Sequence, residues 1–446
     1  MKTINWILSG AVLLTIFAMG CSPGDPEQTA LTITQPSGPA ALQRYVAIGN
    51  SLTAGYMDSG LIMNGQLSSY PLQIAAQLGY SPAPSSDDWF AQPLVAWPGI
   101  GTTNLGDPSQ VAGVLRWTGS TIAPAGVTPA AEVTSLLLAA QYPTPYNNLG
   151  VPIAFSLDVA TTRNSGESTR PGNSYFDFIL RNPAFGDGTM LSQAIAQGPT
   201  LVTLWIGNND VLLGAVGGDP VVGENVIPPP VVEAALEGIV VGLDDGVSTR
   251  FGYEPHLVVG NIPSITSIPY FIPKALFNQV VGVDYPTVED NVAYVTFPAL
   301  GEVQGGFTDP LPTNRTLTSD EATAVADVVD GYNAAIAALS LTHSFTVVDV
   351  NAALAALPAA ESTHFVFLLG QGLSVEEAAA TTRFSLDGVH PNNRGQTLLA
   401  NLFLEGINTE LGLSGDEALV QLPDTAVWDP TYPPPPGTAG LAALAR

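Results

Sequence analysis

Cysteine occurs once in the 446 residues, at Cys21, so the chain can close no internal disulfide and has no cysteine pair for a zinc site. Lysine occurs only at Lys2 and Lys274, and neither stands three residues after a serine, which removes an S-x-x-K nucleophile pair. Lys and Arg together number 12 against 39 Asp and Glu, a formal charge of −27. That field repels phosphate backbones and argues against nucleic acid as a partner. No G-x-S-x-G is present, so the α/β-hydrolase elbow is excluded, and no H-E-x-x-H points to a metal. "GIGTTN" at 99–104 begins like a dinucleotide fingerprint, but Asn104 stands where the third glycine belongs, and no cofactor is expected there. What the chain does have is apolar material: 46% of its residues are hydrophobic, enough for one large domain or two ordinary ones.

The N-terminus carries an apolar run from Trp6 to Met19 and then small residues up to Cys21. The run has the layout of an export signal. "AMGC" at 18–21 resembles the lipobox of bacterial lipoproteins, which implies a signal peptide at 1–20 and a lipid-modified Cys21. Acylation would anchor the protein to a membrane of the bacterial cell envelope without spanning it. Residues 21–41, polar and containing prolines, then read as a tether.

Four apolar segments read as core strands: 44–49, 200–207, 256–263 and 345–351. Their near-continuous hydrophobicity predicts burial on both faces, as in a parallel sheet. Two helical stripes stand out. One, after Ser319 as cap, carries Val325, Val328, Val329, Tyr332, Ile336 and Leu339; the other carries Leu398, Leu399, Leu402, Phe403, Ile407 and Leu411, with Gly412 as its stop. Strands alternating with helices predict a three-layer α/β/α sandwich with a mainly parallel sheet over 42–412. The stretches 57–195 and 211–255 read as insertions on one edge, with a cap over a site as one role for them. Residues 413–446 read as a Pro-rich, extended or loosely packed tail.

Histidine is the usual general base near neutral pH, and the chain has four: His256, His343, His364 and His390. The first two border a strand and read as structural or surface residues; His364 has no acid nearby except Glu361 and reads as structural. His390 lies in "FSLDGVHPNNRG", three residues after Asp387 and ahead of the final helix. Such a turn can set a carboxylate against one imidazole nitrogen and leave the other for a serine. "YVAIGNSLTAGY" at 45–56 meanwhile ends an apolar strand by presenting Ser51 on a sharp turn.

"GNSLT" at 49–53, "GIGTT" at 99–103, "GNND" at 207–210 and "DGVH" at 387–390 occur in the order of the four blocks of the GDSL, or SGNH, hydrolase family, which the chain resembles over most of 42–412. "VVGNIPSITSIPYF", "GYNAAIAAL" and "FSLDGVHPNNRG" are similar to segments of its lipoprotein-type members. The resemblance implies the flavodoxin-like form of the sandwich, with Ser51 as nucleophile, His390 as general base and Asp387 as its orienting carboxylate. It also implies an oxyanion hole of Ser51 N–H, Gly101 N–H and the Asn209 side chain, with Gly99 as the competing second donor. Asn50 replaces the Asp of the family name, a change expected to alter hydrogen bonding more than chemistry. Asp210 reads as structural, taking backbone donors at the turn after its strand.

The expected function is a cell-envelope serine ester hydrolase that needs neither metal nor organic cofactor. Its substrate is expected to be a small-molecule, lipid or glycan ester, with "SITSIPYFIPKALF" at 264–277 apolar enough to line an acyl pocket. A polysaccharide O-acetyl esterase and a surface-anchored binding protein without turnover are the alternatives.

Overall fold

Five short runs of buried residues build one wholly parallel sheet: β1 (Tyr45–Gly49), β2 (Asn148–Gly150), β3 (Leu201–Trp205), β4 (His256–Gly260) and β5 (Thr346–Val348). Their order across the sheet is β5-β4-β3-β1-β2. The helices that frame it are α1 (Ser51–Ala54), α2 (Tyr70–Gln77), α3 (Asn208–Val216), α4 (Pro229–Phe251), α5 (Ser319–His343) and α6 (Asn393–Leu411). The structure, a computed structural model, describes residues 35–102, 107, 109–138, 142–181 and 188–432. The expected signal peptide, Cys21, most of the tether and residues 433–446 lie outside them, as do Thr103 and Asn104.

The period of two along each strand divides the core into two layers. Val46, Ile48, Val202, Leu204, Leu257 and Val259 face one side, against α4 and α5. Tyr45, Ala47, Leu201, Trp205 and Val258 face the other, against α2 and α6. The stripe predicted for α5 is buried throughout, while in α6 Leu398, Leu402 and Leu411 are only partly so. The cap of α5 is Thr318, one residue earlier than read, because Thr318 and Glu321 close a capping box. Gly412, in the left-handed region, ends α6.

The supposed insertions hold parts of the frame. Residues 211–255 contain α4, whose Val232, Leu236, Ile239, Val240, Leu243 and Val247 are buried and whose first turn accepts proline. Residues 57–195 supply the edge strand β2 as well as α2. What remains of them, including the hairpins Gln110–Ala112 with Val127–Pro129 and Leu115–Trp117 with Ile122–Pro124, decorates the body. The stretch 413–432 is extended but not loose. Asp424 pairs with Arg383 and Arg394, and Trp428 and Tyr432 are buried.

Candidate active site

The C-terminal ends of β1 and β3 meet the turn before α6, and this meeting builds the site. Ser51 is the first residue of α1, where a backbone N–H has no acceptor within the helix. Asn50 caps that helix: its Oδ1 accepts from Leu52 N–H. The close approach of α1 to the sheet depends on two facing glycines, Gly49 and Gly150. Gly49 has no left-handed φ. A Cβ on it would overlap Thr53 and stand 2.5 Å from the Trp205 carbonyl oxygen, and one on Gly150 would overlap Ala54. Gly49 therefore supplies space under the serine, not a turn conformation. Gly207, at φ 114°, does supply a turn, setting Asn208 and Asn209 at the start of α3.

His390 Nε2 lies 2.9 Å from Ser51 Oγ, and its Nδ1 lies 2.9 Å from Asp387 Oδ2. The Asp387 carboxylate is held from several sides. Oδ2 accepts from Ser59 N–H at 2.7 Å; Oδ1 accepts from Val389 N–H at 2.9 Å, His390 N–H at 2.8 Å and the Ser385 hydroxyl at 3.1 Å. Burial alone pushes this carboxyl up, but the charge and hydrogen bonds of His390 and the backbone N–H groups outweigh it and hold Asp387 well below the usual carboxylate range. Gly388, at φ 70°, lets the turn close between the two residues. The Tyr56 ring packs on the imidazole, with centroids 4.7 Å apart.

Ser51, Asn209 and His390 line one cleft with Leu212, Ile265 and Ile268. One N–H of the Asn209 amide donates to Ala154 O at 2.8 Å, which fixes the group and leaves its second N–H to the cleft. Asp210, fully buried, accepts from Ser156 N–H and the Ser156 hydroxyl. Gly99 and Gly101 are not among the residues lining the cleft. The Gly99 N–H is taken by Ala96 O at 2.9 Å. Gly101 pairs with Gly60, and its carbonyl oxygen lies 2.9 Å from the Tyr175 hydroxyl. No described residue of 57–195 lines the cleft, and of 211–255 only Leu212 does; Pro263, Ser264, Ile265, Ile268 and Leu354 line it as well.

His364 and His256 are structural. His364 is buried, caps a helix through Nδ1 and donates from Nε2 to Leu386 O at 3.0 Å; burial pushes it down to about 4, so it is neutral. His256 bridges Glu410 and Pro36 O. Sequence reasoning missed Asp58, Ser59 and Ser385 around Asp387, and Tyr56 under His390. No local pattern marks "YMDSG" at 56–60, because its role depends on a turn more than three hundred residues away.

No protein-family profile matches the chain, and no curated protein sequence does. Solved structures similar to it include a protein of Parabacteroides merdae ATCC 43184 assigned as a GDSL-like lipase (13% identity, TM-score 0.31, covering 86% of this chain and 99% of that one). Another is an α/β-hydrolase enzyme from the metagenome of Lake Arreo, Spain (15% identity, TM-score 0.34, covering 86% and 100%). A third is a point variant of an acetyl-xylooligosaccharide esterase from Geobacillus (14% identity, TM-score 0.32, covering 82% and 94%). The chemistry of the site rests on its own geometry.

Proposed function

We propose that the protein is a serine ester hydrolase. The observation that carries this reading is the unbroken chain from Ser51 Oγ through both nitrogens of His390 to Asp387, each link 2.9 Å, opening on an apolar cleft. Ser51 Oγ attacks the ester carbonyl while His390 Nε2 takes its proton. The oxyanion is held by Ser51 N–H and the second N–H of Asn209; Gly101, which the family resemblance names as a third donor, does not line the cleft. His390 then returns the proton to the leaving alcohol, and water repeats the cycle on the acyl-enzyme. Asp387, kept ionised by its surroundings, orients the imidazole and stabilises its cationic form.

The cleft supports an acyl ester with an aliphatic chain, since Leu212, Ile265 and Ile268 face it. The "AMGC" motif supports lipid anchoring through Cys21, which Cys21→Ala tests by moving the protein from the membrane to the soluble fraction. For the reaction itself, a fluorophosphonate probe is expected to label the wild type and not Ser51→Ala. Absence of Ser51-dependent labelling would overturn the enzyme reading in favour of a binding protein. Hydrolysis confined to acetate esters would favour a glycan deacetylase.

A further inference from the structure

Behind Asp387 lies a second carboxylate that the proposed mechanism does not use. Asp58 is completely buried, and both it and Ser59 adopt left-handed backbone, at φ 53° and 59°. Neither residue is a glycine, so two successive left-handed positions carry strain that the surroundings must hold. Reciprocal backbone hydrogen bonds between Met57 and Gly60 close the turn, and the Asp58 side chain ties it to the rest of the fold. Its Oδ1 accepts from Leu386 N–H at 2.7 Å, and its Oδ2 accepts from the Tyr432 hydroxyl at 2.8 Å and Trp428 Nε1 at 3.2 Å.

The strained turn has two outputs, and both end on Asp387. Asp58 N–H donates to Ser385 Oγ at 3.0 Å, and that hydroxyl donates onward to Asp387 Oδ1. Ser59 N–H donates directly to Asp387 Oδ2, the oxygen that faces His390. Two of the donors that fix the orienting carboxylate are thus set by one turn. The strap that secures Asp58 is itself tied down: Trp117 N–H donates to Pro430 O, Asn393 donates to Val427 O, and Asp424 pairs with Arg383 and Arg394. Burial pushes Asp58 up to about 7, against the pull of Leu386 N–H, Tyr432 and Trp428. A bare apolar contact would pack the strap without that cost, which points to a role for the carboxylate beyond packing.

We infer that Asp58 is a positioning residue for the Asp387–His390 pair, acting through Ser385 and Ser59, and that Trp428 and Tyr432 are the strap that secures it. The inference rests on the ester hydrolase reading. Neither Asp58 nor Ser385 lines the cleft, so their loss lowers kcat and leaves KM unchanged.

The test is steady-state hydrolysis of a p-nitrophenyl ester by the full chain, in wild type, Asp58→Asn, Ser385→Ala, Ser385→Thr and Tyr432→Phe. Asp58→Asn is expected to lower kcat about tenfold, and Ser385→Ala by about three- to tenfold, with KM within about twofold of wild type. Ser385→Thr, which keeps the hydroxyl, is expected to restore kcat. Combining Asp58→Asn with Ser385→Ala should cost no more than the worse single change, because both act on one carboxylate. Unchanged kcat in folded Asp58→Asn would overturn the proposal. If Asp58→Asn does not fold, Ser385→Ala and Tyr432→Phe decide, and unchanged kcat in both would overturn it. A wild type without Ser51-dependent turnover or labelling is a different failure: it would overturn the hydrolase reading first and this proposal with it.

Discussion

Asn50 Nδ2 donates to Asn208 Oδ1 at 3.0 Å, tying the residue before the serine to the residue before Asn209. The same side chain caps α1 through Oδ1, so one amide fixes both the helix that presents Ser51 and the start of α3. An aspartate here would still cap the helix, and Asn208 would answer by turning its own amide to donate. Asn50→Asp is therefore expected to keep kcat/KM within about threefold, whereas Asn50→Leu loses both bonds and about 1–2 kcal/mol of stability. Thermal melts beside ester hydrolysis check the pair; equal damage from both substitutions would mean that the cap and the Asn208 bond are not what Asn50 contributes.

Asn209 gives a second prediction. Its amide is anchored on Ala154 O, and the residue lines the cleft beside Ser51 and His390. Asn209→Ala is expected to lower kcat by about 10²–10³, with KM little changed, because the oxyanion needs that donor most in the transition state. A rise in KM at constant kcat would make Asn209 a ground-state contact instead.

Legibility followed the range of the interactions. β1, β3, β4 and β5 were visible as apolar runs, and the stripes of α5 and α6 as helical periods, because each is written in neighbouring residues. Ser51, Asn209, Asp387 and His390 are legible in three short blocks that the fold brings together, whereas Gly99 and Gly101 of the remaining block do not line the cleft. β2 was not, since Asn148–Gly150 contains only one large apolar residue, Leu149. Its burial comes from pairing with β1, and its Gly150 from the approach of α1, both long-range facts. The stripe of α4 was present but hidden between the Pro- and Gly-rich "GGDPVVGENVIPPP" and the charged end of the helix. The Asp58 turn had no local signature at all, because every partner of its carboxylate comes from 386–432.

The shape of the cleft gives a third prediction. Ile268 lines it and is buried. Ile268→Trp shortens the apolar space without touching Ser51, His390 or Asn209. Octanoate esters are expected to lose about tenfold or more in kcat/KM, while acetate esters stay within about threefold. A uniform loss across chain lengths would mean that the acyl group does not lie against Ile268.

Stability should run against pH in an unusual direction. Burial raises both Asp58 and Asp210 to about 7, so between the ordinary carboxylate range and pH 7 the folded protein holds protons that the unfolded chain has released. Such groups stabilise fully below about pH 4, and their contribution is lost as the pH rises through 7. Asp244, raised to about 7 by partial burial and then by Glu254 and Asp245, acts in the same sense. His364 opposes them: held neutral down to about 4, it contributes stability above its unfolded value that is lost as the pH falls from 6.5 to 4. The two fully buried carboxyls outnumber it, and each is moved at least as far from its ordinary value, so the net slope is negative. The melting temperature is therefore expected to fall from pH 5 to pH 7. Asp210→Asn, which keeps the size of the side chain and removes its titration, should flatten that fall. A melting temperature that rises steadily over this interval would show that Asp58 and Asp210 are ionised in the folded protein.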